Sequence, residues 1–234
     1  PMVGGMMVST ITAGQITSKT GKYRFFLNLG SAVMTLGFVY LFFFVEAEQP
    51  LWVLSLGMVM IGLGLGQLMQ TLMISSQNAV EAKDIGVATS SATFFRQIGG
   101  TLGVAVFMTV LFSQVEDKIA EAFATPAVAE GIQNALSDPA VLSDPNNQAL
   151  LGAVQGGGGG VSITSDSSFL IGADERLTAA FRIGFVESSL SIFAIAAVLV
   201  FLGFIISWFI KEIPLRTKSA AQENAEAELA GLGA

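Results

Sequence analysis

Four stretches of this chain are long, apolar and almost free of charge: residues 25–45, 51–74, 85–112 and 183–210. Crossing about 30 Å of hydrocarbon as a helix takes roughly 20 apolar residues, and each stretch reaches that length. A fifth, 1–18, is slightly short. A single such run fits a buried helix of a soluble protein, but four of them do not. Composition points the same way, with 52% hydrophobic residues, 12% charged residues and a mean hydropathy of +0.67. A soluble domain carries about 25% charge. The expected fold is an all-α membrane protein.

Lysine and arginine set the expected direction of the chain, because they concentrate on the cytoplasmic side. One set of connections holds Lys19, Lys22 and Arg24, then Lys83, then Lys211, Arg216 and Lys218. The opposite set holds Lys118, Arg176 and Arg182, spread over a much longer connection. The chain is therefore expected to enter from outside and to end inside, in the plasma (inner) membrane. It divides into four membrane helices over 1–112 (about 1–18, 25–45, 51–74 and 85–112), an extracytoplasmic segment over 113–180, a last membrane helix over 181–210 and a cytoplasmic tail over 211–234. Pro1 lies in apolar sequence with no preceding basic region, so the chain reads as the C-terminal piece of a longer protein.

The outer segment differs from the rest. Residues 116–123 read as a charged continuation of the preceding helix. Pro126, Asp138–Pro139 and Asp144–Pro145 are turn signals. Short amphipathic pieces at 127–136 and 148–154 predict a helical hairpin outside the membrane. The five-glycine run at 156–160 reads as a flexible joint, and the Ala/Glu-rich tail as a frayed helix.

Polar groups at lipid depth are costly and mark candidate sites. Gln67 and Gln70 share one helix face, with Gln77 two turns on, which fits either cavity lining or interhelical hydrogen bonding. Arg96, about eleven residues into its helix and beside Gln97, is too deep to snorkel easily. It fits a structural latch inside the bundle or a role in coupling. Glu187, one turn into the last span, fits a proton relay, a partner for Arg182 or an interfacial carboxylate. Met69, Met73, Phe94 and Phe95 fit an adaptable apolar wall or plain packing. Gly62–Gly66 and Gly99–Gly103 have the spacing of closely packed membrane helices.

Several chemistries are excluded. The chain has no His and no Cys, which removes thiol nucleophiles, imidazole or thiolate metal sites and Ser–His–Asp triads. It has no nucleotide-binding GxxxxGK[ST] motif and no acidic cluster at lipid depth. No cofactor and no enzymatic activity are expected. The net charge of −7 argues against a nucleic-acid partner.

The loop Gly14-Gln-Ile-Thr-Ser-Lys19-Thr-Gly21-Lys22-Tyr-Arg24 resembles the G-x-L-x-D-R-x-G-R-R loop of the major facilitator superfamily, in its second-half copy; Ser18 stands at the acidic position. The resemblance implies close helix approach at Gly14, a tight turn at Gly21 and a gating loop with Lys19, Lys22 and Arg24 on the cytosolic side. Further on, Gly62-Leu-Gly64-Leu-Gly66-Gln67, Asp84-Ile-Gly86-Val-Ala-Thr-Ser-Ser and Phe95-Arg96-Gln97-Ile-Gly99-Gly100-Thr-Leu-Gly103 are similar to the fourteen-helix drug:proton antiporters, the QacA/EmrB-like exporters. By that resemblance the five spans would be helices ten to fourteen. It implies export of amphiphilic, often cationic drugs in exchange for protons by alternating access, shared with an N-terminal half outside this chain. Two other readings stay open: an exporter of a dedicated metabolite, lipid or siderophore, and a non-transporting membrane module that presents the outer segment. With Glu187 the one deep acid, the sequence leaves substrate charge open.

Overall fold

The structure, a computed structural model, describes residues 1–47, 49–155, 170 and 172–214. All regular elements among them are helical. They are α1 (Met2–Thr20), α2 (Tyr23–Phe44), α3 (Leu51–Asn78), a 3-10 turn (Ala82–Asp84), α4 (Ile85–Ala124), α5 (Pro126–Leu136), α6 (Pro139–Ser143), a second 3-10 turn (Pro145–Asn147), α7 (Gln148–Gln155) and α8 (Glu175–Trp208). The glycine run at 156–160 and the tail from 215, including Arg216 and Lys218, lie outside the described residues.

Four helical stretches are long and apolar enough to cross a membrane: Tyr23–Phe44, Leu51–Asn78, Ala82–Ala124 and Glu175–Trp208. With 19 residues α1 has the length, but its Ser, Thr, Gln and Gly content keeps it out of that set. The reason is its packing. Gly5, Ser9, Ala13 and Thr17 recur every fourth residue and are all buried, so small and polar residues occupy the inward stripe. Gly21 ends α1 in the left-handed conformation (φ 72°), its N–H donating to the Thr17 carbonyl at 2.8 Å. A side chain is strained at that φ, and glycine is the usual residue there.

Two compact units divide the chain. The first comprises residues 1–43, 50–104 and 194 onward, with α3 at its centre. Glycines bring the backbones of this unit together. A Cβ at Gly62 would collide with the Met2 carbonyl, and one at Gly66 with Ser9 and the Met6 carbonyl of α1. The Thr10 hydroxyl crosses the same seam to the Gly66 carbonyl at 3.2 Å. On another face of α3, Gly64 meets Gly30 and Met34 of α2, and Gly57 meets Leu41.

The second unit comprises residues 44–49 and 105–193. Its core joins Val115 and Ile119 of α4, Ala135 of α5, Val141 of α6, Leu150 of α7, and Leu177 and Phe181 of α8. A neighbouring cluster holds Ala122, Val128, Ile132 and Ala180. The Phe123 and Phe181 rings meet edge-to-face, 5.4 Å between centroids. These contacts explain why the helices outrun the hydropathy limits: α4 continues past 112 to Ala124, and α8 starts at Glu175 rather than near 181. Charged residues on the outer faces of both extensions conceal the apolar stripes beneath.

The amphipathic pieces are found as α5 and α7. The Asp–Pro turn signals prove to be helix starts. Pro126 and Pro139 occupy first-turn positions, where a missing N–H costs nothing. Asp138 accepts the Ala140 N–H at 3.0 Å, and Asp144 accepts the Asn146 N–H at 2.9 Å before the second 3-10 turn, each capping the turn it opens.

Candidate functional site

The first unit carries a half-open cavity of about 640 Å³ between α2, α3, α4 and α8. Helical spacing builds each wall. On α3, Leu65, Leu68, Met69, Leu72, Met73 and Ser76 fall on one stripe; on α2, Leu27, Ser31 and Met34 recur at intervals of three and four. Val200, Gly203, Ile206, Ser207 and Ile210 come from α8, and Ala92, Phe95 and Arg96 from α4. The volume lies in the range of about 300–1,000 Å³ usual for small-molecule sites, and such sites are mostly apolar with a few polar groups.

The polar groups in this lining divide into spent and unspent. Ser31 donates to the Leu27 carbonyl at 2.8 Å, and Ser76 to the Leu72 carbonyl at 2.8 Å. Ser207 donates to Phe204 O at 2.7 Å and to Asn28 Oδ1 at 2.8 Å. All three hydroxyl protons are thus held by α2, α3 or α8. Arg96 is the one charged residue of the lining, and among the described residues its guanidinium has no hydrogen-bond or ion-pair partner.

The other polar residues singled out by sequence lie elsewhere. Gln67 and Gln70 are not in this lining: Gln70 packs by Gly14, and Gln67 sits over Gly30 with a buried Oε1 that has no hydrogen-bond partner. The face of α3 that carries them is turned to α1 and α2, not to the cavity. Gln77 Nε2 donates to the Thr89 hydroxyl at 3.0 Å. Gln97 is exposed beside Arg96. Of the adaptable wall, Met69, Met73 and Phe95 line the cavity and Phe94 does not; its ring packs edge-on against Phe95 at 5.7 Å. A Cβ at Gly99 or Gly103 would meet nothing within 4 Å, unlike one at Gly62 or Gly66.

The first turn of α2 is tied to the far end of α8. Arg24 donates to the Trp208 carbonyl. The Tyr23 hydroxyl accepts the Ile213 N–H at 2.9 Å, and Asn78 donates to the Ile213 carbonyl at 2.8 Å. Carbonyls at a helix C-terminus have no partner within the helix and carry partial negative charge, which a cation such as Arg24 offsets. Lys19 stands in the last turn of α1, where the same dipole favours a cation. The Lys22 N–H approaches the Thr20 hydroxyl at 3.4 Å.

Glu187 lies in the second unit and faces Lys118 of α4 at 3.6 Å. Arg182 instead pairs with Glu175 at 2.9 Å and donates to the Ala47 carbonyl at 2.9 Å, so the Arg182–Glu187 alternative is set aside. One turn beyond Glu187, the Ser191 hydroxyl donates to Gln114 Oε1 at 2.7 Å. Gln114 and Lys118 thus form a polar ladder with Glu187 and Ser191. The sequence reading missed their part in it, although both pairs are spaced i, i+4.

No family model and no solved structure matches the chain significantly. Curated relatives do. The chain is 29% identical over 235 residues to a protein named tetracycline resistance determinant from Streptomyces rimosus, a match covering all of this chain and 65% of the relative. It is 28% identical over 215 residues to an MFS-type transporter of Mycobacterium tuberculosis, covering 92% of this chain and 27% of that protein. It is 27% identical over 243 residues to the multidrug transporter protein MdtP of Bacillus subtilis, covering 98% of this chain and 41% of that one. The chain thus spans from about a quarter to two thirds of these relatives. Its long apolar helices make it part of a multi-pass membrane protein, and over nearly all of its length it is similar to proteins named as a tetracycline resistance determinant, an MFS-type transporter and a multidrug transporter.

Proposed function

We propose that the chain is part of a proton-coupled efflux transporter that moves amphiphilic small molecules by alternating access, with residues 211–234 on the cytoplasmic side of the plasma (inner) membrane. The observation that carries this reading is the apolar cavity with its methionine and phenylalanine wall. Methionine has three rotatable bonds and a polarizable sulfur, so Met34, Met69 and Met73 repack around ligands of different shape. The names of the relatives, tetracycline resistance and multidrug transport, agree with such a site. The remaining helices, an N-terminal half among them, would come from sequence beyond this chain, in keeping with the share of the relatives that it spans.

Within this reading the loop carrying Gly14, Lys19, Gly21, Lys22 and Arg24 is a gating element. Its tie to the end of α8 through Arg24 supports that role, because a loop fixed to the last helix moves with it. The test uses the full-length gene product in a bacterium deleted for its own pumps. Energised cells are loaded with fluorescent amphiphiles of both charges, and dye loss is followed before and after an ionophore collapses the proton gradient. Efflux that stops with the gradient is the expected result. Good membrane expression with no efflux of any dye would overturn the multidrug reading and favour a dedicated exporter.

A further inference from the structure

We propose that the cavity of the first unit recognises small amphiphilic acids, an apolar body carrying one carboxylate or sulfonate, through Arg96. The inference rests on the transport reading above and adds to it the charge of the ligand, which the sequence left open.

The guanidinium of Arg96 carries a charge that no described residue of the lining offsets. A guanidinium offers five N–H donors and stays protonated under all ordinary conditions. At lipid depth an ionised group without a partner is costly, and such groups are found paired or facing a polar cavity. Arg96 lines the open side of the cavity and is itself exposed, no carboxylate among the described residues shares that lining, and the three serine hydroxyl protons are already committed. The rest of the lining is aliphatic, aromatic or thioether. A ligand that satisfies both parts has an apolar body against Met69, Met73 and Phe95 and an anionic head on Arg96, where the planar fork can hold two oxygens at once. A cationic amphiphile would set like charge against Arg96 with no acid of the lining to offset it. The volume suits a single small molecule.

A second residue allows the site and its charge preference to be tested apart. Gly203 lines the cavity, and a Cβ built on it meets nothing within 4 Å. Gly203→Leu therefore extends into the open space and leaves Arg96 in place.

The test is binding, which does not require that transport occur. The full-length gene product is placed in nanodiscs of phosphatidylcholine, and saturable uptake of laurate and of dodecylammonium is measured over protein-free discs. The two probes share a tail and differ in the head. Laurate should bind more tightly than dodecylammonium. Arg96→Gln should weaken laurate about tenfold or more, the loss expected for a charge-assisted hydrogen bond, and leave dodecylammonium no weaker. Arg96→Lys should recover part of the affinity for laurate, and Gly203→Leu should reduce both probes. Equal binding of the two heads, or laurate binding indifferent to Arg96→Gln, would overturn the proposal. So would loss of laurate binding when phosphatidylglycerol is added to the discs, since the occupant would then be a membrane lipid. Binding as expected in a protein that exports no dye would leave this inference standing and overturn the efflux reading instead.

Discussion

Single residues on α3 and α4 show how little of a glycine's role is written in its spacing. Gly62–Gly66 and Gly99–Gly103 carry the same i, i+4 pattern, yet the first pair sits against the backbone of α1 while the second meets open space within this chain. Spacing tells which residues share a face and not what the face meets. Gly62→Val is expected to destabilise the protein by about 1–3 kcal/mol, the usual penalty of forcing atoms into a filled interface. Because the obstacle is the Met2 carbonyl, no side-chain rotation relieves it. Thermal unfolding of the detergent-solubilised full-length product checks this; an unchanged midpoint would mean that α1 and α3 do not approach so closely. Gln67 shows the same limit of legibility. Its helix position was plain, but whether it faced a cavity or a neighbouring helix depended on α1 and α2, and a single sequence does not say where those pack.

The long helices were legible as elements because lipid-length apolar runs leave few alternatives, and the charged continuation of α4 was legible too, whereas the start of α8 was not. Residues 113–124 and 175–182 carry Glu, Asp, Lys and Arg on outward faces, and hydropathy averages across the face that packs. The start of α8 is held to the turns before α7 by a polar device that no sequence pattern announced. Asn147 is buried, donates to the Val141 carbonyl at 2.9 Å and accepts the Asp174 N–H at 2.8 Å. Asp174 in turn receives Arg176, which also reaches Asp138 at 3.2 Å. The hydrogen bonds from the Arg176 side chain, more than any other cause, hold the Asp174 carboxyl below its usual 3.8. A carboxylate with a lowered folded pKa adds stability that is complete above the unfolded value and is lost as pH falls through the folded one. The segment from α5 to the start of α8 is therefore expected to loosen below about pH 3.8. Proteolysis by an acid-active protease, compared between wild type and Asp174→Asn, reads this out. The wild type should become more sensitive with acidification, and the variant should start more sensitive and change less. Parallel profiles would remove Asp174 from the account.

At the scale of the whole molecule, membrane character and the likeness to major facilitator exporters were readable from the chain alone, while the company kept by its polar residues was not. Arg96 and Glu187 both stood out as polar residues within apolar runs, and they have different company. Arg96 lines a cavity with no partner among the described residues, whereas Glu187 is engaged by Lys118 beside the Ser191–Gln114 bond. The ladder fits a role in holding α4 and α8 together. On the proposed efflux reading, Glu187→Gln in the full-length gene product is thus expected to preserve the pH dependence of efflux while lowering thermal stability by less than about 1 kcal/mol, the range of exposed ion pairs. A flattened pH profile with unchanged stability would make Glu187 a proton relay instead.

The division of faces on α3 has a consequence for how such a protein changes over generations. The glycine contacts that join α3 to α1 and α2 involve neither Met69 nor Met73, which look into the cavity. Substitutions at those two positions alter the shape of the pocket without disturbing either seam, so drift in what the pocket accepts carries little penalty in folding. On the transport reading proposed above, a lineage under changing chemical pressure can retune selectivity one residue at a time, on a helix whose other sides stay fixed.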